Sequence, residues 1–489
     1  MKKTVVFLVI LSFVSRISGF LREVFMAWRF GASIHTDTYI AAMTVPVMIV
    51  SLITVGLNNS LIPVLAAAEK KGQREVFFNR LLSILGIIAI SLMGLIIVLA
   101  RPLNTIIVRG FGPDELARVI YYSRMMAVVA LFQIMSYALM GYLQQNNRFY
   151  IAATASIPMN LGTIIGVIVS PDPNSILIMV MGTIVGYFLQ LLWVLLPVVR
   201  MKGFRFRFDL TLSDEHFHML LLLIVPVLIT LSTSQLNGII SRAIASGLGE
   251  GSISLLNYAQ KVNGLFYQTL IVTLSTVLFT RQAKLSSDQN WKEIFLVTRE
   301  NLSSIMLLIV PLVLGMMFLS TEVIQLIFQR GEFTAKDSVR GGMILLLYSP
   351  SLISLSVNEI LSKMFFAMRD SKKPMISTFV NISVSIALSL LLYRRFGVNG
   401  LAVAYTVASL SGIAVLSWIA RRKFHQEGVS FWSKSYQKYL LAGGLMLVVL
   451  FLFKRLPGVS GLPVMIYTLA SGLVGAVSYF IGLYLLRTP

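Results

Sequence analysis

The sequence predicts an all-α polytopic membrane protein of about fourteen transmembrane helices, arranged as two pseudo-symmetric six-helix lobes plus two C-terminal helices. Three observations carry this reading. The first is charge poverty: of 489 residues, 56% are hydrophobic and 12% charged, and mean hydropathy is +0.82, whereas a soluble domain carries about 25% charged residues. The second is run length. Leu81–Ala100, Ile305–Ser320 and Leu440–Phe453 contain no charge, and a helix of about 20 apolar residues crosses a hydrocarbon core about 30 Å thick. The third is recurrence of such runs from one end of the chain to the other. No water is present in the bilayer core to satisfy backbone groups, so these runs must be helices.

In order, the expected spans are 4–30, 38–66, 78–100, 117–144, 149–169, 175–199, 217–245, 251–279, 297–320, 337–367, 374–393, 398–420, 436–453 and 462–486. Lys2 and Lys3 followed by an apolar run resemble a signal peptide, but no small-residue cleavage site follows and Arg16 and Arg22 interrupt the run. It therefore reads as the first span. An even number of crossings puts both termini on one side of the membrane. Lys and Arg in the segments on that side outnumber those on the other by about two to one, the positive-inside pattern. Both termini are thus expected in the cytoplasm, in a bacterial cytoplasmic (inner) membrane. An internal repeat underlies the lobes. Glu75-Val76-Phe77 resembles Glu293-Ile294-Phe295, and Arg148 and Asn160 match Arg369 and Asn381 at nearly the same offset. Six spans recurring in one orientation make two lobes related by an axis along the membrane normal. The expected divisions are 1-200, 201-425 and 426-489, the last holding two extra spans.

The net charge of +21 and pI near 10.2 do not indicate nucleic-acid binding. The basic residues lie in short loops between apolar runs instead of forming one face or stripe. With no cysteine in the chain, disulfides, thiol catalysis and Cys-based metal sites are excluded. His35, His216, His218 and His425 lie in loops or at helix ends, with no carboxylate constellation around them. No Walker loop, Ser/His/Asp set or HExxH motif occurs, so an enzyme is not expected and no cofactor is implied.

Ionisable residues inside spans are the best functional pointers, because each costs at least about 2.5 kcal/mol at the bilayer centre. The first span holds Arg16, Arg22, Glu23 and Arg29. Arg16 and Arg22 point to different faces of a straight helix, and Gly19 between them offers a place to bend. Arg29 reads as a snorkelling residue reaching the head groups. The second span begins at Asp37, which suits a helix-start cap, and carries Asn58 and Asn59. The eighth has a polar stripe of Asn257, Gln260, Lys261 and Gln268. Gln235, Asn237 and Arg242 in the seventh add to it. Glu359 and Lys363 stand four apart and form a self-satisfied pair. A cavity lined by Arg16, Arg22, Lys261 and Arg242 suits an anionic substrate such as a phosphate, which Arg grips bidentately and Lys as a point charge.

The segment Ser15-Arg16-Ile17-Ser18-Gly19-Phe20-Leu21-Arg22-Glu23, followed by Phe30-Gly31-Ala32 and Thr36-Asp37-Thr38-Tyr39, resembles the opening of the MurJ (MviN) family of lipid II flippases. That family belongs to the multidrug/oligosaccharidyl-lipid/polysaccharide exporter superfamily. Phe328-Gln329-Arg330-Gly331-Glu332-Phe333-Thr334 and Phe366-Ala367-Met368-Arg369-Asp370-Ser371-Lys372-Lys373-Pro374 are similar to two further family motifs, with Gly400-Leu401-Ala402 following. The resemblance runs over roughly residues 10–420. It implies a V-shaped pair of lobes, a cationic central cavity, alternating access and an undecaprenyl-diphosphate-linked peptidoglycan precursor as substrate.

The family's cavity arginines fall on Arg16 and Arg22, its acidic partner on Glu23 and its helix-start acid on Asp37. A second-span arginine is missing near Val50, and the eighth-span arginine is Lys261. Of a family sodium site, Asn381 is retained as a weak candidate, while acidic partners appear as Ser241 and Ser385. Lipid II flipping is the expected function. The partners are then the lipid-linked glycan diphosphate and membrane lipids, and the protein is expected to act as a monomer. The alternatives are a flippase for another polyprenyl-diphosphate-linked glycan (an exopolysaccharide or O-antigen unit) and a drug/cation antiporter, which would want acidic cavity residues. A membrane-embedded glycosyltransferase is opposed by the lack of an acidic pair in a loop.

Overall fold

The computed structural model describes residues 2–201, 204–211, 215–275, 279, 282, 285, 290–368, 370–431, 433–459 and 461–486. Arg369 and the side chains of Asn58 and Asn59 lie outside the described set. The described residues are mostly helical, and none of them is in a strand. Ten helices or helix pairs among them are long and apolar enough to cross a membrane. The chain divides into two compact units, Met1–Ser254 and Leu255–Pro489.

The first unit contains α1 (Lys2–Phe30), α2 (Ile34–Lys70), α3 (Arg74–Ile107), α4 (Pro113–Met126), α5 (Val128–Gln145), α6 (Phe149–Thr154), α7 (Ser156–Val169), α8 (Leu177–Val199) and α9 (Glu215–Ala245). α1 ends at Gly31, whose φ of 62° is in the left-handed region that a side chain disfavours. α2 then starts on Ser33, whose hydroxyl accepts the Thr36 N–H at 3.4 Å. The Thr36 hydroxyl donates back to the Gly31 carbonyl at 3.0 Å, closing the turn. The Phe30-Gly31-Ala32 motif is thus a helix break with both ends capped.

α7 packs on α8 through four glycines. A Cβ on Gly162 would lie 2.4 Å from the Gly186 Cα, and one on Gly182 would lie 2.6 Å from the Gly162 carbonyl oxygen. In lipid no hydrophobic force drives helices together, so close backbone approach between small residues supplies the packing. α2 packs against α4, α5 and α9. Packing and sequence repeat divide the chain at different places, because α9 sits with the first unit through α2 and α3.

The second unit holds most of α10 (Ser252–Phe266), a π-helical turn Tyr267–Val272, α11 (Trp291–Phe318), α12 (Ser320–Phe328), α13 (Ala335–Tyr348), α14 (Ser351–Ala367), α15 (Lys372–Gln426), α16 (Lys434–Lys454) and α17 (Val464–Leu485). α15 is two helices joined at Gly397, where φ is 57° and ψ −137°. The Phe328–Thr334 motif also has a structural job. Gly331 turns with φ 59°, buried Phe333 packs on Phe328 and Tyr258, and Thr334 caps α13. The Thr334 hydroxyl accepts the Asp337 N–H at 3.2 Å while Asp337 Oδ2 accepts the Thr334 N–H at 3.0 Å, a reciprocal capping box. The two C-terminal helices pack on each other and on α11 around Val310, Tyr439, Met446 and Tyr479.

Candidate functional site

In the first unit the candidate residues converge on α1. Helical structure runs through Gly19 without interruption. That glycine lies beside Asn160, with a Cβ there at an ordinary contact distance of 3.5 Å from Asn160 Nδ2. Asn160, on α7, is buried. Its Oδ1 accepts from Arg22 Nη1 at 3.3 Å and its Nδ2 donates to Ser18 Oγ at 2.9 Å. Arg22 Nη2 donates to Glu23 Oε1 at 2.8 Å. The Glu23 side chain is 3% exposed and that of Arg22 17%. Arg22 Nε is buried with no hydrogen-bond partner.

A guanidinium has five N–H donors in a rigid fork. Here both terminal nitrogens are anchored to protein and the Nε donor is left over in a low-dielectric setting, where an anionic oxygen is strongly favoured. The Ser15 and Ser156 hydroxyls also bond to each other, continuing the polar seam between α1 and α7.

Arg16 occupies an exposed position on α1. Arg29, read as a snorkelling residue, is tied to the protein. Its Nε and Nη2 donate to the Ser170 carbonyl at 3.1 and 2.6 Å, tying the end of α1 to the end of α7. The cause is reach: the carbonyls after the last turn of α7 lack intrahelical partners. Asp37 is buried at 1% exposure and does not cap its own helix, a place already taken by Ser33. Its Oδ1 accepts the backbone N–H of Ser254 at 2.7 Å, in the first turn of α10. A carboxylate there satisfies an orphan donor and faces the positive end of the helix dipole. Gly251 brings that turn close: its φ is 77°, and a Cβ on it would sit 2.3 Å from the Ala32 carbonyl oxygen. Arg242 is half-buried on α9, near Gly238.

In the second unit, Gln260 Nε2 donates to the Tyr348 hydroxyl at 2.9 Å and Asn263 Nδ2 to Ser351 Oγ at 3.2 Å. These two join α10 to α13 and α14. Asn257 is half-buried and Lys261 exposed. Lys363 Nζ lies 3.0 Å from Glu359 Oε1, as their spacing predicts. The pair is further satisfied by Tyr267, whose hydroxyl donates to Glu359 Oε2 at 3.0 Å, and by Ser275, which accepts from Lys363 Nζ at 2.8 Å. Asn381 is half-buried on α15, its Cβ 3.0 Å from where a Gly412 side chain would begin, and Ser385 is buried. Among the described residues no group of three or more His, Asp and Glu is placed to hold a metal ion.

Sequence reasoning missed Asn160 as a partner of Arg22. It stood out only as a repeat position, and no local pattern links residues 138 apart. It also missed Tyr267, which becomes visible only where the helix takes a π turn, a feature frequent at functional sites.

Residues 26–468 match the family model described as lipid II flippase MurJ. A curated probable lipid II flippase MurJ of Rhizobium tropici is 29% identical over 83% of this chain and 79% of its own length. A solved structure titled lipid II flippase MurJ, inward closed conformation, superposes with a TM-score of 0.84 at 23% identity, covering 98% of each chain. An inward-facing multidrug resistance MATE family transporter of the MOP superfamily has a TM-score of 0.70 at 13% identity, covering 85% of this chain and 96% of that one. The last two likenesses establish the fold. With 26–468 matched, most of the chain carries the family pattern, and it belongs to the lipid II flippase MurJ family.

Proposed function

We propose that this protein flips lipid II, an undecaprenyl-diphosphate-linked peptidoglycan precursor, from the inner to the outer leaflet of the bacterial cytoplasmic membrane by alternating access, with no chemical step. The observation that carries this reading is the anchored Arg22 fork in a member of this family. Arg16, Arg22 and Lys261 are the cationic contacts for the diphosphate, with Glu23 and Asn160 holding Arg22 in place. Asp37, Arg242, Gln260 and Asn257 serve as supporting positions. The polyprenyl tail runs beside the two C-terminal helices. An apolar cavity of about 290 Å³ in the second unit, lined by Met306, Val310 and Val357 and, from the first of those two helices, Tyr436, Tyr439 and Leu440, supports this.

The reading assumes fourteen crossings. The ten apolar helices supply most of them; α1, α9 and α10 add three, and the break at Gly397 makes two crossings of α15. The lobes are then 1-200 and 201-425, with 426-489 as an appendage, both termini cytoplasmic and the protein a monomer in the membrane.

Complementation tests the proposal. Expression of this chain in bacteria depleted of their own lipid II flippase should restore growth and the appearance of lipid II in the outer leaflet. Lys261→Glu, at normal membrane abundance, should abolish both by repelling the head group, and Lys261→Arg should be tolerated. Failure of the wild-type chain to rescue, with another polyprenyl-diphosphate glycan appearing outside, would replace lipid II by that glycan.

A further inference from the structure

The segment between α8 and α9 is not needed by the transport reading, yet it is firmly placed. Residues 204–211 have no helical or strand structure, and three hydrogen bonds tie them to the first turns of α3. Asn79 Nδ2 donates to the Arg205 carbonyl at 2.9 Å, the Asp209 N–H donates to Ser83 Oγ at 3.1 Å, and Arg80 Nε donates to Asp209 Oδ2 at 3.1 Å. The Thr211 hydroxyl and N–H, then the Arg80 guanidinium, push the Asp209 carboxyl down to about 2, so this clamp stays charged at ordinary pH. Phe204 packs on Phe78 and Tyr142.

From Asn79 to Ser83 the segment climbs α3 by about 6 Å, beginning roughly 7 Å in from the helix start at Arg74, at 1.5 Å per residue. Beside this anchored backbone, Phe206 is 57% and Phe208 66% exposed, and Arg205 and Arg207 are exposed as well. Backbone without internal pairing is not tolerated against hydrocarbon, while two exposed phenylalanines side by side are poorly placed in bulk water. Both conditions are met at the membrane interface, where aromatic rings lie at head-group level and guanidinium groups meet phosphates. The neighbouring end of α8 carries the same two residue kinds: exposed Trp193, about 9 Å before the helix end at 1.5 Å per residue, and exposed Arg200 just beyond it.

We infer that Phe204–Asp209 is an interfacial element that binds anionic phospholipid, with Arg205 and Arg207 on the head-group phosphate and Phe206 and Phe208 seated at the acyl boundary. Charge complementarity selects the occupant, since the exposed side chains of this segment carry positive charge and its acid, Asp209, is spent on Arg80. Basic residues near an anionic leaflet each contribute about a fivefold gain in partition. The inference stands independently of which glycan the protein carries.

The chain has no cysteine, so Phe208→Cys introduces a unique thiol for an NBD fluorophore in the full-length protein, reconstituted in phosphatidylcholine nanodiscs. Phosphatidylglycerol or phosphatidylcholine bearing a nitroxide at the same acyl position is then titrated in. Phosphatidylglycerol should quench the label at a several-fold lower mole fraction, and Arg205→Gln with Arg207→Gln should erase that preference. Leu210→Cys, in the same segment and 43% exposed, serves as the label site if the Phe208 variant accumulates poorly. Equal quenching by both lipids in the wild-type arginine background, or quenching by neither, would overturn the inference.

Discussion

Arg22 and Glu23 are adjacent on α1 yet form an ion pair with Nη2 2.8 Å from Oε1. Neighbouring positions on a helix point about 100° apart and do not ordinarily face each other. The pair closes because the arginine stem is long enough to swing back, and Asn160 receives the other edge of the fork. The charge inside the first span is thereby neutralised locally while a guanidinium donor is kept in reserve.

That arrangement predicts a sharp distinction between charge and geometry. Arg22→Lys should lose transport nearly as fully as Arg22→Ala, because an ammonium cannot hold Glu23 and Asn160 and also fork onto a phosphate. Asn160→Ala should reduce rescue of flippase-depleted cells while leaving Arg22 charged, since a buried hydrogen-bond partner is removed at a cost of about 1–3 kcal/mol. The measurement is growth rescue with membrane abundance checked by immunoblot. Full rescue by Arg22→Lys at normal abundance would show that charge alone suffices.

The glycine contact between α7 and α8 predicts a stability defect. Gly182→Ala places a Cβ against the Gly162 carbonyl and should cost about 1–3 kcal/mol through overpacking, seen as a lowered Tm in detergent. Gly94→Ala is the control, because nothing lies within 4 Å of a Cβ there, and it should leave the Tm unchanged or slightly raised.

Replacing sodium by potassium or choline should leave transport unchanged, because the retained Asn381 is accompanied by Ser241 and Ser385 instead of carboxylates, and hard cations favour carboxylate oxygens. Outer-leaflet lipid II in sodium-free medium is the readout. Strict sodium dependence would mean that other oxygens complete a site around Asn381.

Reporter fusions address orientation. Those after Lys71 and Lys423 should report the cytoplasm, and those after Gly249 and Gly331 the outside. A reversal confined to Gly249 would remove the lobe division at 200 and 201.

Much of this molecule was legible before its structure. Hydrophobic run length marked the helices, because satisfying backbone groups in lipid is a local demand that each segment meets by itself. Glu359 and Lys363 were readable as a pair from a spacing of four, and Arg22 and Glu23 were marked by their cost inside a span. The tertiary structure alone decided where polar side chains found their partners. Asp37 suited the cap of its own helix but serves a turn 217 residues away, because Ser33 already fills the nearer place. Arg29 holds the Ser170 carbonyl, and Asn160 reaches Arg22 across 138 residues. Hydropathy and periodicity record which segments leave water. The pairing of buried donors and acceptors depends on which helices pack and at what register, and that is set by close contacts such as those of Gly162 and Gly182 that no single segment encodes.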